Sequence, residues 1–301
     1  MAVDRVLICM APTPRTPTAI VPSIRALEGA GFAVRRPFPT GTVDHYGPFL
    51  LLDEMGPADN APGEAKGAPD HPHRGFETVT YLLDGEIEHA DSVGNRGVIH
   101  PGEVQWMTAG AGIVHSELPT DKILRQGGRV HGFQLWVNLP QKAKMHRPRY
   151  QDLTKDRIPV VDIDGGQAVV IAGEAYDTPG AADTFLPITY VHVSLRPGAR
   201  TEMAAPADQV AFVYVFGGDA TVLPSQQPVA EGDSVFFDVE PGSLSFVAGA
   251  EGVDMLVGIA EPLNEPVVRY GPFVMNTKAE IYKAFDDYNA GLMGSIEPEH
   301  A

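Results

Sequence analysis

The fold is decided by the stretch Val79-Thr-Tyr-Leu-Leu-Asp-Gly85. Its first five residues form a short β-branched and aromatic run that predicts a β-strand, and Asp84-Gly85 predicts the turn that ends the strand. Runs of the same kind, separated by Gly, Pro and Asp, recur along the chain. They are Gly132-Phe-Gln-Leu-Trp-Val137, Ala168-Val-Val-Ile171, Ile188-Thr-Tyr-Val-His-Val193, Val210-Ala-Phe-Val-Tyr-Val-Phe216, Ser234-Val-Phe-Phe237 and Met255-Leu-Val-Gly-Ile259. Many short strands at this spacing predict an all-β sandwich or barrel.

A weak internal repeat indicates that the fold is duplicated. Tyr81-Leu-Leu-Asp-Gly85 is echoed by Tyr214-Val-Phe-Gly-Gly218, and Pro101-Gly-Glu103 is echoed by Glu231-Gly-Asp233. We therefore predict two β-barrels in tandem, joined within the polar segment 150–159. The N-terminal domain would span residues 1–150 and the C-terminal domain residues 151–301.

Two helices are predicted at the ends of this arrangement. In the segment Lys278–Tyr288, apolar residues recur at helical spacing, and Thr277 with Glu280 supplies a capping box. We therefore expect a short C-terminal helix there. A second short helix is expected within residues 19–31, with Pro22 in its first turn.

Composition and charge restrict the partners of this 301-residue chain. The apolar fraction of 44% and charged fraction of 20% are typical of a soluble globular protein. A formal charge of −17 would repel a phosphate backbone, so direct nucleic-acid binding is not expected. Apolar runs stay short of the roughly 18 residues that a membrane span needs, and no membrane partner is predicted.

A single cysteine, Cys9, lies in an apolar run. It cannot form an intrachain disulfide, which favours a reducing compartment, and we predict a cytoplasmic protein. Cys9 itself is expected to be a buried core residue.

Two pairs of polar residues predict a metal site. His71 and His73 are two residues apart, and so are His115 and Glu117. Residues two apart on a β-strand point to the same face, so neighbouring strands would bring four ligands to one point. Three nitrogens and one oxygen suit one divalent ion of iron, nickel, copper, manganese or zinc. The alternative is a set of hydrogen-bonded polar residues at a barrel mouth.

Glu77 competes with Glu117 for the carboxylate position. It shares strand parity with His71 and His73, provided that no bulge occurs at Gly75. Glu77 could equally lie behind a ligand and orient an imidazole N–H. The residues alone leave this choice open.

The second half keeps the repeat but lacks the ligands. The positions that correspond to the two pairs hold Ala204, Pro206, Ser245 and Val247. We therefore predict one metal ion, in the first half of the chain.

Several longer motifs resemble those of the pirin family of the cupin superfamily, over about residues 40–290. They are Pro48–Glu54, Asp70-His-Pro-His-Arg-Gly-Phe-Glu-Thr78, Tyr81–Gly85, Pro101-Gly-Glu-Val-Gln-Trp-Met-Thr-Ala-Gly110, Gly112-Ile-Val-His-Ser-Glu117, Leu135–Pro140, Pro148–Asp152 and Glu261–Thr277. The resemblance implies a bicupin, with two tandem antiparallel jelly-roll barrels and the metal in the N-terminal one. It places the ligands on His71, His73, His115 and Glu117, and so favours Glu117 over Glu77. Iron is the usual metal of such proteins.

The same resemblance implies alternative functions. Bacterial members resemble quercetin 2,3-dioxygenases, and nuclear relatives act as redox-sensitive transcriptional coregulators. Our first hypothesis is a metal-dependent dioxygenase that opens a small flavonol-type aromatic substrate with O2, with Glu117 as the catalytic base. The second is a metal-bearing redox sensor that acts through a protein partner. The third is another metalloenzyme, an isomerase or hydrolase, on a cupin scaffold.

Overall fold

The computed structural model describes residues 13–297, and strands dominate it. The all-β class is thus confirmed, with two short α-helices, α1 (Asp121–Gln126) and α2 (Lys278–Asn289). Neither of these helices, nor any other within residues 13–297, is long and apolar enough to cross a membrane. Cys9 lies outside the described residues.

The first half consists of two antiparallel sheets. Its strands are β2 (Ile24–Glu28), β3 (Phe32–Phe38), β4 (Phe49–Asn60), β5 (Ala68–His73), β6 (Phe76–Asp84), β7 (Ile87–Asp91), β8 (Arg96–Ile99), β9 (Val104–Thr108), β10 (Ile113–Pro119), β11 (Gly128–Asn138) and β12 (Arg149–Leu153). Seven of these form a sheet of order β12-β9-β6-β11-β4-β3-β2, and four form a sheet of order β5-β10-β7-β8.

The second half is a nine-stranded antiparallel sheet folded around an apolar interior. Its strands are β1 (Ala19–Pro22), β13 (Val160–Ile163), β14 (Gly166–Ala172), β17 (Ile188–Leu195), β18 (Arg200–Ala205), β19 (Val210–Leu223), β20 (Gln227–Ala230), β21 (Asp233–Phe237) and β22 (Gly242–Ala260). Two hairpins stand apart, β15 (Glu174–Ala175) with β16 (Thr178–Pro179) and β23 (Val268–Tyr270) with β24 (Phe273–Met275). Small and branched side chains such as Val191, Val213 and Val257 fill the interior.

The two halves share one large core. Val79 and Phe133 of the seven-stranded sheet belong to the same buried cluster as Tyr190 and Phe212 of the second half. The two repeated tyrosines link the halves reciprocally. Tyr81 of the first half lies 3.0 Å (Oη to Nδ1) from His192 of the second. Tyr214 of the second half donates to Glu54 of the first.

Strand β1 and helix α2, near the two ends of the described residues, each cross to the other half. Strand β1 pairs with β21 in the sheet of the second half. Helix α2 packs against the first half, where Ile281 shares a core cluster with Val114 and Arg74 forms an ion pair of 2.8 Å with Asp287. Thr277 and Glu280 form the predicted capping box of α2. The sequence did not reveal which half α2 covers.

The helix predicted within residues 19–31 is wrong. The segment forms β1 and β2 instead, and Val21 is buried opposite Ser234 of β21. Pairing with an existing sheet satisfies the backbone groups that a short helix would leave at its ends, so tertiary pairing overrides the local preference. The β2–β3 turn then reverses the chain at Gly29 and Gly31, both of which have positive φ.

Candidate metal centre

Strands β5 and β10 bring three imidazoles together. The strands are antiparallel neighbours, and His71 is the register partner of His115. His73 lies two residues further along the same face of β5. One ring nitrogen of each histidine falls within 4.8 Å of the corresponding atoms of the other two. The spacing argument is therefore correct for the three histidines.

The orientation of His71 and His73 leaves their ligand nitrogens facing each other. His71 Nδ1 lies 2.7 Å from the Pro69 carbonyl oxygen, and His73 Nδ1 lies 3.4 Å from that of Pro272. A carbonyl only accepts, so both Nδ1 atoms carry the proton. The two Nε2 atoms then lie 3.1 Å apart, close enough for one cation to bind both.

His115 supplies the clearest sign of a missing partner. Both of its ring nitrogens are buried, and neither has a hydrogen-bond partner within residues 13–297. Burial lowers the pKa of His115 and of His73 well below the usual range, and the neighbouring imidazoles lower both further. Both rings are therefore neutral at pH 7, the form that binds a metal. These residues fit a divalent metal ion.

Glu117 lines a cavity that His71 and His73 also line, but it is not a member of the three-histidine cluster. Gln134 Nε2 donates to both of its carboxylate oxygens, at 3.0 and 2.8 Å, and Thr80 Oγ1 donates to Oε1 at 2.8 Å. Sequence reasoning missed Gln134 and Thr80. The one available signal was the single polar residue in the otherwise apolar run of residues 132–137.

Glu77 lies apart from the imidazoles. The condition for shared parity is not met, because Gly75 has φ +87° and separates β5 from β6. A side chain at Gly75 would also clash with the Val274 carbonyl, 2.0 Å from a Cβ there. Glu77 accepts a 2.6 Å hydrogen bond from Thr108, on the face of β6 that packs against the second half. Burial raises its pKa to about 7.

A cavity of about 1200 Å³ leads to the centre. His71, His73 and Glu117 line it together with Trp136. The Phe76 ring packs on Trp136 with 4.3 Å between ring centroids. The other apolar residues that flank the motifs in sequence belong to the packed core: Trp106, Met107, Phe133 and Leu135.

The comparisons with known proteins agree with this architecture. A family model described as pirin matches residues 31–137, and one described as the pirin C-terminal cupin domain matches residues 190–294. A pirin-like protein of Solanum lycopersicum is 42% identical over 277 residues, which is 89% of each chain. Pirin of Homo sapiens is 40% identical over 279 residues, covering 89% of this chain and 90% of the relative.

Among solved structures, quercetin 2,3-dioxygenase from Acinetobacter baumannii superposes with a TM-score of 0.89 at 38% identity. The match covers 95% of this chain and all of that one. The predicted bicupin fold is thus confirmed, with two cupin domains and a short C-terminal helix. The chain belongs to the pirin family.

Proposed function

We propose that this protein is a metal-dependent dioxygenase that opens flavonol-type aromatic substrates with O2. One observation carries the proposal: three imidazoles converge beside a cavity large enough for a flat organic molecule, and His115 among them has no hydrogen-bond partner within residues 13–297. The Acinetobacter baumannii relative, named a quercetin 2,3-dioxygenase, supports the choice of substrate class.

His71, His73 and His115 would hold the metal, with Glu117 as a fourth ligand. The donor set suits iron, nickel, copper, manganese or zinc, and the resemblance to the pirin family favours iron among them. A bound divalent ion would supply Lewis acidity, which makes the hydroxyl of a flavonol easier to deprotonate.

The chain itself would bind the substrate and accept its proton. The indole of Trp136 forms an aromatic part of the cavity wall on which a flat ring system can pack. Glu117 would take the hydroxyl proton at Oε2, because Oε1 already accepts two hydrogen bonds and Oε2 only one. The two hydrogen bonds from Gln134 would hold the carboxylate in the orientation that accepts the proton.

The test combines metal analysis with an aerobic assay of quercetin bleaching on the same purified sample. We expect about one metal ion per chain and turnover of quercetin. His115→Ala should lose both signals, because it removes a ligand that the other two cannot replace. Turnover that persists in metal-free His115→Ala would contradict the proposal. Metal binding without turnover would favour the redox sensor that acts through a protein partner.

The base role of Glu117 has its own test. Glu117→Gln should lower turnover by roughly 10²- to 10⁴-fold, the usual contribution of a general base. Metal content must be measured in the same sample, so that loss of the ion is not mistaken for loss of the base. Undiminished turnover at full metal occupancy would exclude the role.

A further inference from the structure

The Glu117 carboxylate is held by a set of hydrogen-bond donors, and it is not a member of the three-histidine cluster. Gln134 Nε2 bridges both oxygens, and the buried Thr80 hydroxyl adds a third bond. Trp136 Nε1 donates to Gln134 Oε1 at 3.4 Å, which fixes the amide with its NH2 group toward Glu117. The Gln134 donors are thus oriented by a contact that does not involve the carboxylate.

The strand register also sets Glu117 apart. On β10, His115 pairs regularly with His71, but the register with β5 shifts before Glu117, whose partner is Ala68. On the other side, the pairing of β10 with β7 runs without interruption. The irregularity therefore lies between β10 and β5, the strand that carries two of the three imidazoles.

We propose that Gln134 and Thr80 form a docking position for the Glu117 carboxylate, and that this position competes with metal ligation. The inference rests on the metal site of the proposed function and concerns how that site is regulated. Glu117 would alternate between the metal and these donors, and it would act as the base from the docked position. Gln134 and Thr80 are positioning residues, since neither needs to touch the substrate.

The direction of the change in metal affinity distinguishes competition from simple support of a metal-bound Glu117. If Gln134 only oriented a bound Glu117, its removal would weaken metal binding by roughly 10- to 100-fold. If Gln134 draws Glu117 away from the metal, its removal must strengthen binding. A hydrogen bond to a charged group contributes about tenfold or more in an equilibrium constant, so the expected gain is about tenfold.

The experiment titrates the metal-free protein with Ni²⁺ alone in a calorimeter, because Ni²⁺ suits imidazole ligands. Gln134→Met keeps the side-chain length and removes the donors, and should lower the Kd about tenfold. Thr80→Val removes the other donor at equal volume and should lower the Kd in the same direction. Gln105→Met is the control, because Gln105 is a glutamine of the same seven-stranded sheet that donates to Asp152 instead of Glu117.

A double-mutant cycle with Glu117→Gln completes the test, since the effect of Gln134→Met should vanish without the carboxylate. Weaker or unchanged Ni²⁺ binding by both Gln134→Met and Thr80→Val would overturn the docking position. An equal gain in Gln105→Met would overturn it as well. A wild-type protein that binds no Ni²⁺, or binds it no better than His115→Ala, would instead refute the metal site of the proposed function.

Discussion

Replacing Glu77 with glutamine should stabilise the protein at neutral pH and leave the metal centre intact. The Glu77 side chain is 1% exposed and accepts a strong hydrogen bond from Thr108. Glutamine has nearly the same shape, and its amide oxygen can keep that bond. The substitution therefore removes a buried charge and little else.

The magnitude follows from the pKa of Glu77, which burial raises from 4.5 to about 7. The folded protein therefore binds the proton of the Glu77 carboxyl group more tightly than the unfolded chain does. The stability that Glu77 contributes is fully present below pH 4.5 and is lost as the pH rises through 7. The difference of about 2.5 pKa units corresponds to about 3 kcal/mol in the free energy of unfolding.

The assay is urea unfolding of wild type and Glu77→Gln at pH 5, 6, 7 and 8. The two proteins should be close in stability at pH 5, and the variant should lead by about 3 kcal/mol at pH 8. Glu174→Gln controls for the charge change, because Glu174 is exposed. A difference between wild type and Glu77→Gln that does not grow with pH would refute the reasoning. Loss of bound metal in Glu77→Gln would revive the prediction that Glu77 orients a ligand.

Two further predictions concern packing and buried hydrogen bonds. Gly258→Ala places a Cβ 2.1 Å from the Phe212 ring and should destabilise the protein by about 1–3 kcal/mol in thermal unfolding. Gly41→Ala, with open space around the added methyl group, should change the melting temperature little. The buried Lys144 ammonium donates to two backbone carbonyls and to Asn138. Lys144→Met should therefore cost about 2 kcal/mol or more in the free energy of unfolding, and an unchanged melting temperature would contradict this.

The sequence was sufficient for those features that depend on strand periodicity. Two histidines spaced i, i+2 must share a face of β5, and the prediction that they meet His115 needed only that β5 and β10 be neighbours. The capping box of α2 was equally readable, since it depends on Thr277 and Glu280 alone.

Features that depend on register or on distant pairing were out of reach. The strand-parity prediction was wrong for Glu77 because Gly75 interrupts the strand between β5 and β6. This interruption is set by the close approach of Val274, about 200 residues away in the chain. Gln134 and Thr80 contact Glu117 only through the packing of one sheet on another. The helix expected within residues 19–31 gave way to pairing with β21, a strand more than 200 residues further along the chain.

The crossing of β1 and α2 to the opposite halves decides how the chain can be cut into fragments that fold. A cut after residue 150 would separate β1 from its partner β21, and would also take α2 away from Arg74. The buried guanidinium of Arg15, which donates to the Ala205 and Gln209 carbonyls, would leave with the wrong fragment. Each fragment alone would expose a bare sheet edge and an apolar face, so only co-expression of both pieces should reconstitute a folded molecule.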